Sequence, residues 1–166
     1  MFVRLFTVIS IVLLICTACQ PIPASDRETR VDVYKSWSVF TKLNSNPKLC
    51  WVASTALSGT ATPKKTYLLY SLKKREISVV LEGPDTPATT GVMKIADQEL
   101  PMFFRGNKGW MKTARLDAVA ANTMRNTPRL QIRAGDMALT FVTDGFDSAA
   151  RRAGELCGTS PFLPPA

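Results

Sequence analysis

The residues of this chain that could do chemistry are limited by the absence of histidine. Histidine is the usual general base for a serine or cysteine nucleophile and the commonest metal ligand. Ser71 and Lys74 have the literal spacing of a serine–lysine pair. That chemistry needs a helix to bring the two side chains together, whereas the surrounding pattern predicts a strand and its exposed end. We therefore interpret the spacing as a chance match.

Carboxylate pairs are the second enzymatic possibility, since two acids across a concave site can act as general acid and base. Asp97 with Glu99, and Asp144 with Asp147, are close in sequence. Both pairs lie at predicted turns, where acids are ordinarily solvated or cap a helix. We favour Asp144 or Asp147 as the cap of the last predicted helix. A carboxylate-dependent envelope hydrolase is kept as the alternative function.

Two of the four cysteines, Cys50 and Cys157, lie in the body of the chain. In an exported protein, two isolated cysteines most often pair. A metal site is the weaker alternative, because the chain has no histidine and the body has no Cys-x-x-Cys spacing. We predict a disulfide between Cys50 and Cys157, with no metal site and no cofactor.

The basic residues are the other distinctive feature, with 21 lysines and arginines against 13 acids and a net charge of +8. Lys73, Lys74 and Arg75 are consecutive, at the exposed end of a predicted strand. Excess positive charge favours attraction to anionic surfaces. The functional interpretation is contact with anionic lipid, an anionic glycan or an acidic envelope protein. The alternative is a solvated surface with no partner.

Three tryptophans, Trp37, Trp51 and Trp110, could line a ligand groove. Tryptophans that alternate with polar residues on strands more often belong to the core. We expect all three to be core residues.

The N-terminus has the order of a secretory signal. Met1–Arg4 is basic, Leu5–Ile15 is almost wholly apolar, and the small residues Thr17 and Ala18 follow. The alternative is a retained membrane anchor, but the apolar segment is shorter than the roughly 20 residues that span a bilayer. We predict a signal peptide at residues 1–18 and export to the periplasm or outer membrane. That compartment disfavours nucleic acid as a partner.

Cys19 follows two small residues, which is the pattern of a bacterial lipoprotein cleavage site. Cys16 departs from it, because an aliphatic residue is usual at that place. We predict that Cys19 is lipidated and that residues 19–34 form a tether. The alternative is ordinary cleavage after Ala18 or Ala24, which would release a free protein.

Short alternating segments between turn signals predict strands for most of the chain. The firmest hairpin joins Leu130–Ala134 to Met137–Thr143. Apolar residues at three- and four-residue intervals between Leu116 and Met124 predict a helix, and Phe146–Leu156 has the composition of a second one.

The predicted fold class is mainly β, a small antiparallel β-sandwich or open barrel with two short helices. Tyr67–Leu72 is apolar on both faces, which predicts a central strand covered on both sides. We place the domain at residues 35–158 and a loose Pro-rich tail at residues 159–166.

The order of these features resembles the invasion-associated locus B family of exported proteins from Gram-negative bacteria. The resemblance rests on three short motifs, Trp37-Ser38-Val39-Phe40, Cys50-Trp51-Val52-Ala53-Ser54 and Gly145-Phe146-Asp147-Ser148-Ala149. It implies a small β-sandwich in the periplasm or on the envelope, and it supplies no catalytic residue. The expected function is a non-enzymatic envelope binding or adhesion module.

Overall fold

The structure is a computed structural model, and it describes residues 28–42, 44–57, 65–81 and 86–162. The predicted signal peptide at residues 1–18 and the predicted lipidation at Cys19 lie outside these ranges. No helix among the described residues is long and apolar enough to cross a membrane.

Among the described residues, ten strands form one antiparallel sheet that is not closed into a barrel, and two helices accompany it. The strands are β1 Thr29–Tyr34, β2 Trp37–Lys42, β3 Leu49–Thr55, β4 Thr66–Ser71, β5 Glu76–Leu81, β6 Thr86–Ile95, β7 Gln98–Gly106, β8 Lys108–Met111, β9 Arg129–Ala134 and β10 Met137–Val142. The helices are α1 Ala114–Met124 and α2 Phe146–Cys157. Across the sheet the order is β1-β2-β3-β4-β5-β8-β7-β6-β9-β10. The mainly β, sandwich-like prediction with two helices is confirmed.

Alternation along each strand decides which face is buried, because successive side chains point to opposite sides of a sheet. On β2, Trp37 and Val39 are fully buried, while Ser38 and Phe40 are half-buried on the other face. The buried faces of all strands except β1 meet in one apolar core, which the two helices help to cover. Phe146 of α2 enters that core, with its ring centroid 4.9 Å from that of Trp37.

The domain begins earlier than predicted. The predicted tether includes residues 29–34, but these residues form β1, which pairs with β2. Charged residues interrupt the apolar alternation that would predict a strand here. One of them, Asp32, accepts a 2.8 Å hydrogen bond from Arg152 of α2. The prediction of a loose tail is also wrong at its start, since Phe162 packs against the core and Tyr70 donates a hydrogen bond to the carbonyl oxygen of Pro161.

The predicted disulfide between Cys50 and Cys157 is present, with a Cα–Cα distance of 6.1 Å. Cys50 lies on β3 and Cys157 is the last residue of α2. The bond therefore fastens the C-terminal helix to the sheet across 107 residues of sequence.

The predicted aspartate cap of α2 is wrong. The N-cap is Gly145, with φ at 94° and no side-chain capping hydrogen bond. A Cβ atom at this position would lie 2.1 Å from the carbonyl oxygen of Tyr34, so only glycine fits. Asp144 instead pairs with Lys35 at 2.8 Å. Asp147 pairs with Arg125, which directly follows α1, and with Arg151 of α2.

Candidate functional site

The sheet face that points away from the core carries aromatic and small polar side chains in register. On this outer face Trp51 lies opposite Phe40 and Ser71, and Ser78 lies opposite Leu69 and Trp110. We define the outer face by seven residues of strands β2–β5, β7 and β8: Phe40, Trp51, Leu69, Ser71, Ser78, Phe103 and Trp110. The prediction that β4 is covered on both sides is wrong, because Tyr67 and Leu69 are only half-buried here.

A cavity of about 440 Å³ lies on the outer face over β3, β4 and β5, and we call it the groove. Its apolar wall contains Trp51 and Leu69, and Ser71 and Ser78 supply hydroxyl groups. Its remaining lining residues include three charged ones, Lys73, Lys74 and Glu28. An apolar cavity with a few convergent polar groups is the usual form of a ligand site.

The turn between β4 and β5 places the basic residues. Leu72 anchors this turn, because its side chain is fully buried and its N–H donates a 3.1 Å hydrogen bond to the carbonyl oxygen of Cys50. Lys73 and Lys74 are exposed and line the groove. Among the described residues, no ion pair or side-chain hydrogen bond involves either ammonium group.

Arg75, the third basic residue of the turn, is separated from the other two. It has φ at 54°, is half-buried and does not line the groove. Its charge acts on the core residue Tyr70. Burial raises the pKa of Tyr70 to about 12, and Arg75 opposes that rise. The structure thus brings Lys73 and Lys74 to one site and leaves Arg75 outside it.

The three tryptophans have different environments. Trp37 is a core residue as expected, and its indole N–H donates a 3.0 Å hydrogen bond to the carbonyl oxygen of Val142. The core prediction is wrong for Trp51 and Trp110, which are half-buried on the outer face. Trp51 stacks on Phe40 with ring centroids 5.7 Å apart, and Trp110 stacks on Phe103 at 5.4 Å. Alternation along β3 could have predicted the outward position of Trp51, because its neighbours Cys50 and Val52 face the core.

Three of the four acids that could support hydrolysis, Glu99, Asp144 and Asp147, are held in ion pairs. Asp144 and Asp147 line one polar cavity of about 400 Å³ beside the start of α2. Burial raises the pKa of Asp147, but hydrogen bonds from Arg151 and Arg125 outweigh this effect and hold that pKa below its usual value. A general acid needs the opposite shift. Of the other pair, Glu99 forms an exposed ion pair with Lys94 at 2.7 Å.

The structure also reveals a buried acid that the sequence analysis missed. Asp117 of α1 is 6% exposed, and its carboxylate accepts a 2.7 Å hydrogen bond from the N–H of Ile77. Burial raises the pKa of Asp117 to about 6, the hydrogen bond from Ile77 opposes the rise, and the charge of Glu76 adds to it. In the sequence, an aspartate in the first turn of a helix indicates only a favourable helix dipole interaction. Asp117 ties α1 to the first residues of β5.

The raised pKa of Asp117 makes stability depend on pH. Between about pH 4 and pH 6 the folded protein binds the proton that the unfolded chain has released, so the free energy of unfolding is expected to fall as pH rises. Asp117→Asn keeps an oxygen acceptor for Ile77 and removes the charge, so it should flatten this slope. Urea unfolding at pH 4, 5, 6 and 7 measures the difference. Parallel slopes for both proteins would contradict the assignment.

A second substitution at the same position separates charge from hydrogen bonding. Asp117→Ala leaves the buried N–H of Ile77 without its acceptor, which costs about 1–3 kcal/mol. We therefore expect Asp117→Ala to be less stable than Asp117→Asn at every pH in the series.

No group of three or more acidic or cysteine side chains in the described part of the chain is arranged to hold a metal ion. A scan against protein-family models finds no matching family, and searches of the curated proteins and of the solved structures find no match either. The resemblance to the invasion-associated locus B family stays a prediction.

Proposed function

We propose that this chain is a non-enzymatic binding module of the bacterial cell envelope that holds an anionic envelope component in the groove. The observation that carries the proposal is the position of Lys73 and Lys74 beside the apolar wall formed by Trp51 and Leu69. Two exposed ammonium groups that have no partner in the described part of the chain attract an anion, and the wall accommodates an apolar part of the same ligand.

The expected binding is weak and sensitive to salt. Each lysine near an anionic surface contributes about 1 kcal/mol, and screening limits the field to about 8 Å at physiological ionic strength. Only charges that are clustered at the contact therefore matter, which favours Lys73 and Lys74 over the dispersed basic residues. Glu28 lines the same cavity and opposes an anion there.

The groove variants provide the test. We expect Lys73→Gln with Lys74→Gln to weaken binding of an anionic ligand roughly 30-fold, the equivalent of two charges. Glu28→Gln should strengthen it, because a repulsive charge is lost. Arg75→Gln is the matched control, since it removes a charge from the same turn but outside the groove. The probes are phosphatidylglycerol vesicles by co-sedimentation and polygalacturonate by calorimetry, at low and high salt.

The full chain should carry Cys19→Ser in these experiments so that no lipid contributes. Phosphatidylcholine vesicles and a neutral glucan are the uncharged references. Absence of binding to both anionic probes would refute the proposal, and so would equal loss in the Arg75→Gln control.

The alternative is a carboxylate-dependent envelope hydrolase, which Asp144 and Asp147 in one cavity would favour. Release of reducing sugar ends that Asp147→Asn abolishes would support that alternative instead.

The envelope location rests on the N-terminal sequence. A lipid on Cys19 would anchor the module to a membrane, with the tether ending at β1 close to the groove residue Glu28. We expect mass spectrometry of the membrane fraction to find a mature chain that begins at lipidated Cys19. A mature chain that begins at Ser25 without lipid would rule the anchor out. The resemblance to the invasion-associated locus B family supports the same location, and it motivates the proposed binding or adhesion role.

A further inference from the structure

The outer face continues past the groove onto β8 and β7. Ser78 lines the groove and lies directly opposite Trp110, which in turn lies opposite Phe103. Trp110 is half-buried, and Phe103 is 41% exposed, one of the few large apolar side chains so exposed among the described residues. The outer face therefore has two stacked aromatic pairs, one on each side of a stretch that contains Leu69 and Ser78.

A second basic pair lies beside the second aromatic pair. Arg105 and Lys108 are directly opposite each other on β7 and β8, and both are exposed. Each is two residues from an aromatic of its own strand, Phe103 or Trp110, and so shares its face. Like charges in direct register destabilise a sheet. Within the described part of the chain no acid pairs with either, so the structure itself does not compensate this cost.

The sheet register gives the distance between the two basic pairs. Glu76 and Val80 are four residues apart on β5, or about 13 Å, and Val80 lies opposite Lys108 on the neighbouring strand. Lys73 and Lys74 lie just beyond Glu76 in the turn. The two basic pairs are therefore roughly 15–20 Å apart, with aromatic rings and serine hydroxyls between them.

We propose that the groove and the β7–β8 surface form one extended site for a polyanionic glycan chain. This inference rests on the proposed function and names its ligand class. Acidic groups of the chain contact Lys73 and Lys74 at one end and Arg105 and Lys108 at the other. Between them, the apolar faces of sugar rings lie on the aromatic rings, and sugar hydroxyls bond to Ser71 and Ser78.

The arrangement fits a repeating anion better than a single lipid or a bilayer surface. A single phospholipid has one charged headgroup, so it leaves the second basic pair unused. A bilayer surface is flat, whereas Trp51 and Leu69 line a concave groove. A chain with acids at regular intervals meets both basic pairs, and the two contacts reinforce each other through their high effective concentration.

The test varies the length of the glycan and, separately, the charges of the basic pair on β7 and β8. Calorimetry with digalacturonate, which spans one basic pair, is set beside calorimetry with decagalacturonate, which spans both. We expect Arg105→Gln with Lys108→Gln to weaken decagalacturonate binding at least tenfold and to change digalacturonate binding less than twofold. Arg129→Gln with Arg133→Gln is the matched control, because it removes two exposed charges from β9 and should change neither.

The outcomes separate this inference from the proposed function. If Lys73→Gln with Lys74→Gln weakens both glycans but the β7–β8 variant weakens neither, the extended site is refuted and the groove stands. If phosphatidylglycerol vesicles bind and decagalacturonate does not, the outer face contacts membranes and the glycan proposal is overturned. If neither probe binds the unaltered chain, both proposals fail. The β7–β8 substitutions relieve like-charge repulsion at exposed positions, so the variant is expected to fold at least as stably as the parent.

Discussion

Replacement of Cys50 and Cys157 by alanine is expected to lower the free energy of unfolding by about 4–5 kcal/mol. The disulfide closes a loop across 107 residues of sequence, and the chain-entropy model assigns that stabilisation to a loop of this length. Small exported domains lose about 2–5 kcal/mol when a native disulfide is removed. The loss should fall first on α2, because Cys157 is the last residue of that helix and Cys50 holds it to β3.

Urea unfolding of the oxidised parent and of the double variant measures this loss. The parent in the presence of a reductant is the matched control, since it keeps both cysteine side chains and lacks only the bond. The double variant and the reduced parent should lose stability by similar amounts relative to the oxidised parent. A loss below about 1 kcal/mol in both would show that packing alone holds α2, and the role assigned to the disulfide would be wrong.

Phe146→Ala is expected to cost about 3–5 kcal/mol, the range for truncation of a fully buried phenylalanine. The Phe146 side chain is fully buried at the start of α2. Its ring contacts three other aromatic rings: Trp37 at 4.9 Å, Tyr70 at 5.5 Å and Phe162 at 6.0 Å between centroids. Its removal leaves a cavity where α2, the sheet and the C-terminal segment meet.

Phe103→Ala is the matched control for Phe146→Ala. The same atoms are removed, but the Phe103 ring is 41% exposed on the outer face and contributes chiefly its stack with Trp110. We expect a loss of about 0.5–1.5 kcal/mol, the range for an aromatic pair. Equal losses for the two variants would contradict the assignment of Phe146 to the core and of Phe103 to the surface.

Local pattern was enough to predict much of the fold. Alternation along Leu130–Ala134 and Met137–Thr143 predicts the β9–β10 hairpin, because the period of a strand is a property of neighbouring residues. The same holds for α1, whose apolar residues recur at helical spacing. The count of cysteines also predicts the disulfide, since only two lie in the domain and two isolated cysteines in a chain with the sequence features of export most often pair. Charge obscured β1, where Arg30 and Asp32 interrupt the apolar pattern.

The candidate site needed the tertiary structure, because its residues come together only through long-range strand pairing. The register of β5 with β8 brings Ser78 beside Trp110, and no local pattern specifies that pairing. Arg75 is consecutive with Lys73 and Lys74, yet it has a positive φ and, unlike them, does not line the groove.

The sequence by itself determined the alternating strands, the two helices, the cysteine pair and the excess of positive charge. These follow from residue type and from spacing along the chain. The tertiary structure alone decided which tryptophans face outward, which acids are neutralised by ion pairs and which lysines border the groove. Those outcomes depend on contacts between residues far apart in sequence. Asp144, for example, pairs with Lys35 across 109 positions of the sequence.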